Sequence, residues 1–246
     1  MFPNAAALDA PVVAVVWQRF LADRFGVSVS CAASAALAAV VWAVYLGDRW
    51  LDARRGARTT DRHVAAARYP GVVAAGAALA TGLAVVAAIT LPTSYLWCGA
   101  WVAFGVALYL ALIHAAAGGL RRAPGAKEFL VGIGFAAGVA VPLMADGPPA
   151  GVWLPAVAAL AGLCWLNCRL IDRWESATPG PAWQEALLAA AVVGGSVGLP
   201  TAIGLAIAGA VAALVVVHLI WGRSPRPARV LADVALLTPL AAQVLT

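Results

Sequence analysis

Asp48 and Asp52 stand four residues apart within residues 45–63, which read YLGDRWLDARRGARTTDRH, and Arg54, Arg55, Arg58 and Arg62 follow them. If a helix runs through both acids, that spacing puts both carboxylates on one face. Like charges at this spacing repel by about 0.2–0.5 kcal/mol. At a helix C-terminus each also opposes the dipole, by about 0.3–1 kcal/mol. A bound cation reverses both signs. Two carboxylates followed by arginines suit a metal ion and a phosphorylated ligand. Two solvated acids balanced by neighbouring arginines are the plainer alternative. A second acidic pair, Asp172 and Glu175, lies three residues apart in LIDRWES. Lys127 opens another apolar run, with Arg121 and Arg122 just before it. A helix N-terminus carrying basic residues favours an anion.

The elements that must position these residues are membrane helices. Hydrophobic residues make up 63% of the chain and charged residues 11%, with a mean hydropathy of +0.91. Soluble domains have about 45–50% apolar and 25% charged residues. The fold class is therefore all-α, a polytopic membrane protein with the 246 residues in a single transmembrane domain. Nine apolar segments are expected, at roughly 10–25, 27–47, 70–91, 94–117, 128–145, 151–172, 183–198, 200–221 and 229–245. The first reads weakest, because it is short and carries Gln18 and Arg19; it is expected to be tilted, re-entrant or interfacial. Gly198-Leu199-Pro200 predicts a tight turn, and Gly132, Gly134 and Gly138 would let backbones pack closely. Cys31, Cys98, Cys164 and Cys168 all lie in apolar runs and read as small buried hydrophobes. The N-terminus lacks the basic region of a signal peptide.

The net charge of +5 sits in loops between apolar runs, a pattern that encodes topology rather than nucleic-acid binding. If all nine segments span, the connections on one side carry 14 of the 16 basic residues. The positive-inside rule makes that side cytoplasmic, with the N-terminus inside. The expected location is a bacterial inner (cell) membrane with the site facing the cytoplasm. Segments two and six then end on the same side, and each presents a pair of acids there. Four such oxygen donors suit a hard cation, and Mg²⁺ commonly takes one or two carboxylates, water and phosphate oxygens.

With these features the chain resembles the UbiA superfamily of intramembrane prenyltransferases. That family has nine helices and an inside N-terminus. Its first motif, N-D-x-x-D-x-x-x-D, closes the second helix, and an R-T-x-x-R-P stretch commonly follows. Here Asp48-Arg49-x-x-Asp52 and Arg58-Thr59-x-x-Arg62-His63 correspond. The family's second acidic motif closes the sixth helix, as Asp172-Arg173-x-Glu175 does, and Gly134-x-x-x-Gly138-x-x-x-Pro142 resembles its fifth helix. The family's opening Asn-Asp falls on Val44 and Tyr45, so the chain keeps about half of the family carboxylates.

The resemblance implies a UbiA-like bundle that transfers an isoprenyl group from an isoprenyl diphosphate to a lipophilic acceptor, with Mg²⁺. Asp48, Asp52, Asp172 and Glu175 would hold the metal. Arg58, Arg62, Arg121, Arg122 and Lys127 would neutralise the diphosphate, and Tyr45 could donate to a phosphate oxygen. Arg49 and Arg173 each follow an acid by one residue, about 100° round the helix, and are expected to face other neighbours. A terpene cyclase of the same fold would use the same acids. A small transporter or a non-catalytic relative are the readings from other classes. Besides membrane lipid, no macromolecular partner is read from the sequence.

Overall fold

The computed structural model describes residues 8–54, 68–115, 125–175 and 182–245. Among these residues every regular element is helical. In chain order they are α1 (Asp9–Arg24), α2 (Cys31–Arg54), α3 (Pro70–Ala88), α4 (Thr93–Ala115), α5 (Ala126–Val139), α6 (Val141–Asp146), α7 (Ala150–Glu175), α8 (Trp183–Ser196), α9 (Thr201–Trp221), α10 (Pro225–Ala235) and α11 (Thr238–Leu245). Five of the described helices are long and apolar enough to cross a membrane: α2, α3, α4, α7 and α9. Five such helices in a chain of this hydropathy are compatible with an integral membrane protein.

The expected apolar segments coincide with helices to within a few residues, with three informative differences. The second does not stop at Gly47 but continues as α2 to Arg54, through both acids. The fifth is broken at Ala140 into α5 and α6. Pro142 cannot donate a hydrogen bond to the carbonyl four residues back, and its ring crowds that carbonyl. The ninth is likewise two short helices, α10 and α11, separated at Leu236 and Leu237.

The weakest segment in the sequence is the one packed deepest. α1 touches α2, α5, α6, α10 and α11. Ala14, Trp17 and Phe20 on it are completely buried. Trp17 Nε1 donates to the Leu236 carbonyl at 2.9 Å, which ties α1 to the break between α10 and α11. Arg19, which lowers the segment's hydropathy, bonds Ser34 Oγ on α2 at 3.1 Å. α1 closes on Gly26 at φ +71°, where Val27 N–H donates back to Ala22 and Gly26 N–H to Asp23. Glycine adopts that left-handed conformation without steric cost.

The backbones of α5 and α7 approach closely at Gly132. A Cβ on Gly132 would lie 2.7 Å from the Ala161 carbonyl oxygen and 3.0 Å from the Trp165 nitrogen. Gly134 and Gly138 meet only side chains, of Val106 and Leu37. Tight packing through a small residue is the ordinary route to helix association where the solvent is itself apolar. α5 also lies on α2 and α1, so it forms the bridge between the two parts of the chain that carry the acidic pairs. All four cysteines are free; Cys164 is buried, but Cys31 is exposed at the start of α2, contrary to the reading of it as a buried hydrophobe.

Candidate functional site

The ends of α2 and α7, and the starts of α5, α8 and α10, meet at one end of the bundle. The contacts that join them are polar. Lys127, in the first turn of α5, places Nζ 3.3 Å from Asp48 Oδ2 in the last turns of α2. Both side chains are about one-third exposed, at 36% and 28%. Arg169, on α7, packs against the start of the same turn: a Cβ on Gly125 would lie 3.6 Å from its Cδ and 3.7 Å from Nη1. Gly125 caps α5 at φ +79° and offers no side chain to the first N–H groups. The amides of Ala126 and Lys127, a lysine and an arginine therefore share one small region, where a helix N-terminus adds its own positive field.

Arg169 continues the network into α8. Its Nη2 donates to Glu185 Oε1 at 3.1 Å and to Gln184 Oε1 at 3.2 Å. Arg173 Nη1 donates to the other Glu185 oxygen at 3.3 Å. Glu185 is only 7% exposed, so one buried carboxylate holds two guanidiniums. On α2, Arg49 is buried and its guanidinium lies 5.6 Å from the Tyr45 ring centroid, an attractive cation–π arrangement. Among these charged side chains, cations (Arg49, Lys127, Arg169, Arg173) outnumber carboxylates (Asp48, Glu185) by four to two.

The second acidic pair divides. Asp172 is exposed. Glu175 Oε1 is held by Arg229 Nη1 at 3.0 Å, from the first turns of α10. Beside them, Trp174 Nε1 donates to His218 Nδ1 on α9 at 2.9 Å, with the rings stacked. Asp52 lies in the last turn of α2, one turn after Asp48, and its side chain is outside the described residues. Arg58, Arg62, Arg121 and Arg122 also lie outside them. Tyr45 is half-buried, three residues further into the bundle than Asp48.

Among the described residues no three His, Cys, Asp or Glu side chains gather closely enough to hold a metal ion. Asp48, with Asp52 one turn on, offers one or two carboxylates. Asp48 is already paired with Lys127, so the described residues show no magnesium site; an ion carried by a phosphorylated ligand would ask for only one or two protein carboxylates.

Three members of the network escape a reading by motif: Arg169, Glu185 and His218. Each is an ionisable residue inside an apolar run, which marks a functional candidate by default. That signal was present in the sequence, although nothing local joins Arg169 to Gly125 or His218 to Trp174. No family model matches the sequence, and no curated protein or solved structure matches it.

Proposed function

We propose that this protein is a membrane-embedded prenyltransferase of the UbiA kind, which binds an isoprenyl diphosphate at its basic end and passes the isoprenyl group to a lipophilic acceptor. The observation that carries the reading is the convergence of Lys127 and Arg169 on the first turn of α5, with Asp48 beside them. A diphosphate placed there meets two cations and the N-terminal end of α5, while its hydrocarbon chain enters the bundle. On the positive-inside reading this end would face the cytoplasm.

In the reaction the C–O bond to the diphosphate breaks, and the leaving group takes the electron pair. Lys127, Arg169 and the α5 amides stabilise the charge that develops on it. Arg58, Arg62, Arg121 and Arg122, outside the described residues, are given the same role by the family resemblance alone. Asp48 orients Lys127, and Tyr45 donates to a phosphate oxygen. Asp48 and Asp52 would hold a magnesium ion carried with the diphosphate, which would add to the neutralisation of the leaving group. The allylic cation is captured by the acceptor, which then releases a proton to water at the open end.

The test is turnover by purified protein in nanodiscs, with geranylgeranyl diphosphate, magnesium and an extract of membrane lipids as acceptor source. Release of inorganic diphosphate together with a prenylated lipid is expected. Diphosphate release with a cyclised hydrocarbon and no acceptor adduct would transfer the reading to a cyclase. No release under any condition would contradict an enzymatic role.

A further inference from the structure

A side-chain hydrogen bond joins α7 to α9. Trp174 Nε1 donates to His218 Nδ1 at 2.9 Å, and the two rings stack with centroids 6.2 Å apart and planes 19° from parallel. Trp174 is buried, whereas His218 is half-buried in the last turn of α9. An indole N–H can only donate. Nδ1 of His218 therefore presents its lone pair, and the neutral ring keeps its proton on Nε2. An imidazolium donates from both nitrogens. A proton taken up at Nδ1 would set two donors against each other at hydrogen-bond distance. The contact thus exists only with neutral imidazole, the side chain whose ordinary titration falls between about pH 5 and 8.

The charges around the ring come from the helices packed on α9, which are α7, α8, α10 and α11. Arg173 on α7 and Glu185 on α8 both act on the imidazole electrostatically. α10 carries Arg229, already bonded to Glu175 of α7 at 3.0 Å, and also Arg226 and Asp233. α11 has no ionisable side chain. The carboxylate that acts on the ring is therefore Glu185, and it is engaged on both oxygens. Oε1 accepts from Arg169 at 3.1 Å and Oε2 from Arg173 at 3.3 Å. A third cation drawing on this carboxylate weakens its hold on the other two. Arg169 is the one that reaches across from α7 to Gly125 at the start of α5.

We infer that His218 is a proton-operated latch. Neutral, it accepts from Trp174 and closes α7 on α9. Protonated, it releases the Trp174 indole and competes for Glu185, so that Arg169 is loosened at the basic end. A fall in pH across the imidazole range thereby changes the charge and the freedom of that end together. The latch needs only contacts within the chain and is independent of any transferase activity.

The experiment is a pH titration, from about 8 to 5, of the detergent-purified full chain carrying ¹⁵N-labelled histidine, tryptophan and arginine, followed by NMR. His218→Gln, Trp174→Phe and Arg169→Lys assign the three signals. At the upper pH the His218 ring should show the Nε2–H tautomer, and the Trp174 indole N–H should be shifted downfield by its hydrogen bond. As His218 takes up its proton, the indole signal should move upfield and the Arg169 Nε–H signal should shift, both with the midpoint of His218. His218→Gln offers an amide oxygen that accepts from Trp174 at every pH in this range, so in this variant both signals should stay still. The titration of the parent does not depend on any variant other than those used for assignment. A His218 ring that stays neutral at the lower pH, or a Trp174 or Arg169 signal that ignores its protonation, would overturn the latch. So would the same changes in His218→Gln.

Discussion

Lys127 Nζ lies 3.3 Å from Asp48 Oδ2, although the two residues are 79 apart in sequence. The lysine sets a positive charge beside the Asp48 carboxylate. The pair is partly exposed, so it contributes at most about 1 kcal/mol. Against this stand the repulsion between Asp48 and Asp52, about 0.2–0.5 kcal/mol, and their opposition to the dipole of α2, about 0.3–1 kcal/mol each. The double variant Asp48→Asn, Asp52→Asn should therefore unfold within about 1 kcal/mol of the parent in metal-free detergent. It should lose the stabilisation that magnesium with an isoprenyl diphosphate gives the parent, about 2.7 kcal/mol at a hundredfold excess over Kd. Thermal melts with and without the ligands measure both. A metal-free melt far below the parent's, with the ligand shift intact, would make the two acids structural.

Glu185 should behave in the opposite way. Its buried carboxylate is the shared partner of Arg169 and Arg173. Glu185→Gln leaves two guanidiniums, each with 15–17% side-chain exposure, facing a neutral amide. The expected loss is about 3 kcal/mol, the lower end for breaking a buried ion pair. Asp172→Asn, at an exposed position on the neighbouring helix, should stay within about 0.5 kcal/mol of the parent. Chemical denaturation of both variants in one detergent gives the comparison, and equal effects would contradict the network described for the basic end.

The packing of α5 on α7 gives a third expectation. Gly132→Ala forces a methyl group against the Ala161 carbonyl and should cost about 1–3 kcal/mol, because backbone cannot swing aside as a side chain can. Gly134→Ala meets only Val106 Cγ2 at 3.5 Å, an ordinary contact, and should be nearly neutral. Melting temperatures of the two variants decide it. Similar losses at both sites would mean that the close approach of α5 and α7 is not what holds them.

Orientation is tested by labelling. Single cysteines replacing Arg226 or Arg122, in a cysteine-free background, should react with a membrane-impermeant maleimide only from the cytoplasmic side. One replacing Asp146 should react only from the other. Reaction of all three from one side would remove the basis for a cytoplasmic site.

Much of the helix plan was legible in the sequence, because apolar runs and the breaks between them are local features. Pro142 and Gly26 mark their breaks by their own chemistry. The role of α1 was not legible. Hydropathy counts Gln18 and Arg19 against a span, whereas Gln18 is buried in the bundle and Arg19 is bonded to Ser34. Nor does the segment's own pattern say that five other helices will pack on α1. At the site, the placement of Asp48 and Lys127 at one end followed from loop charge and helix direction. The pairing of Glu175 with Arg229 did not, since it depends on how α10 lies beside α7. The same holds for Arg169, which the sequence marks only as one more positive charge near a helix end, and which tertiary packing turns into the link between α5 and α8.

The central claim is that the basic end recognises a diphosphate attached to an isoprenyl chain. Its most direct test is the affinity of the parent and of Lys127→Gln for geranylgeranyl diphosphate and for the matching alcohol, geranylgeraniol, in the same nanodiscs with magnesium. The account predicts that the parent prefers the diphosphate and that the variant binds it about tenfold or more weakly, the worth of a charge-assisted hydrogen bond. Affinity for the alcohol should change by less than about twofold, since it carries no charge for Lys127 to meet. Equal losses for both ligands, or a parent that binds alcohol and diphosphate alike, would contradict it.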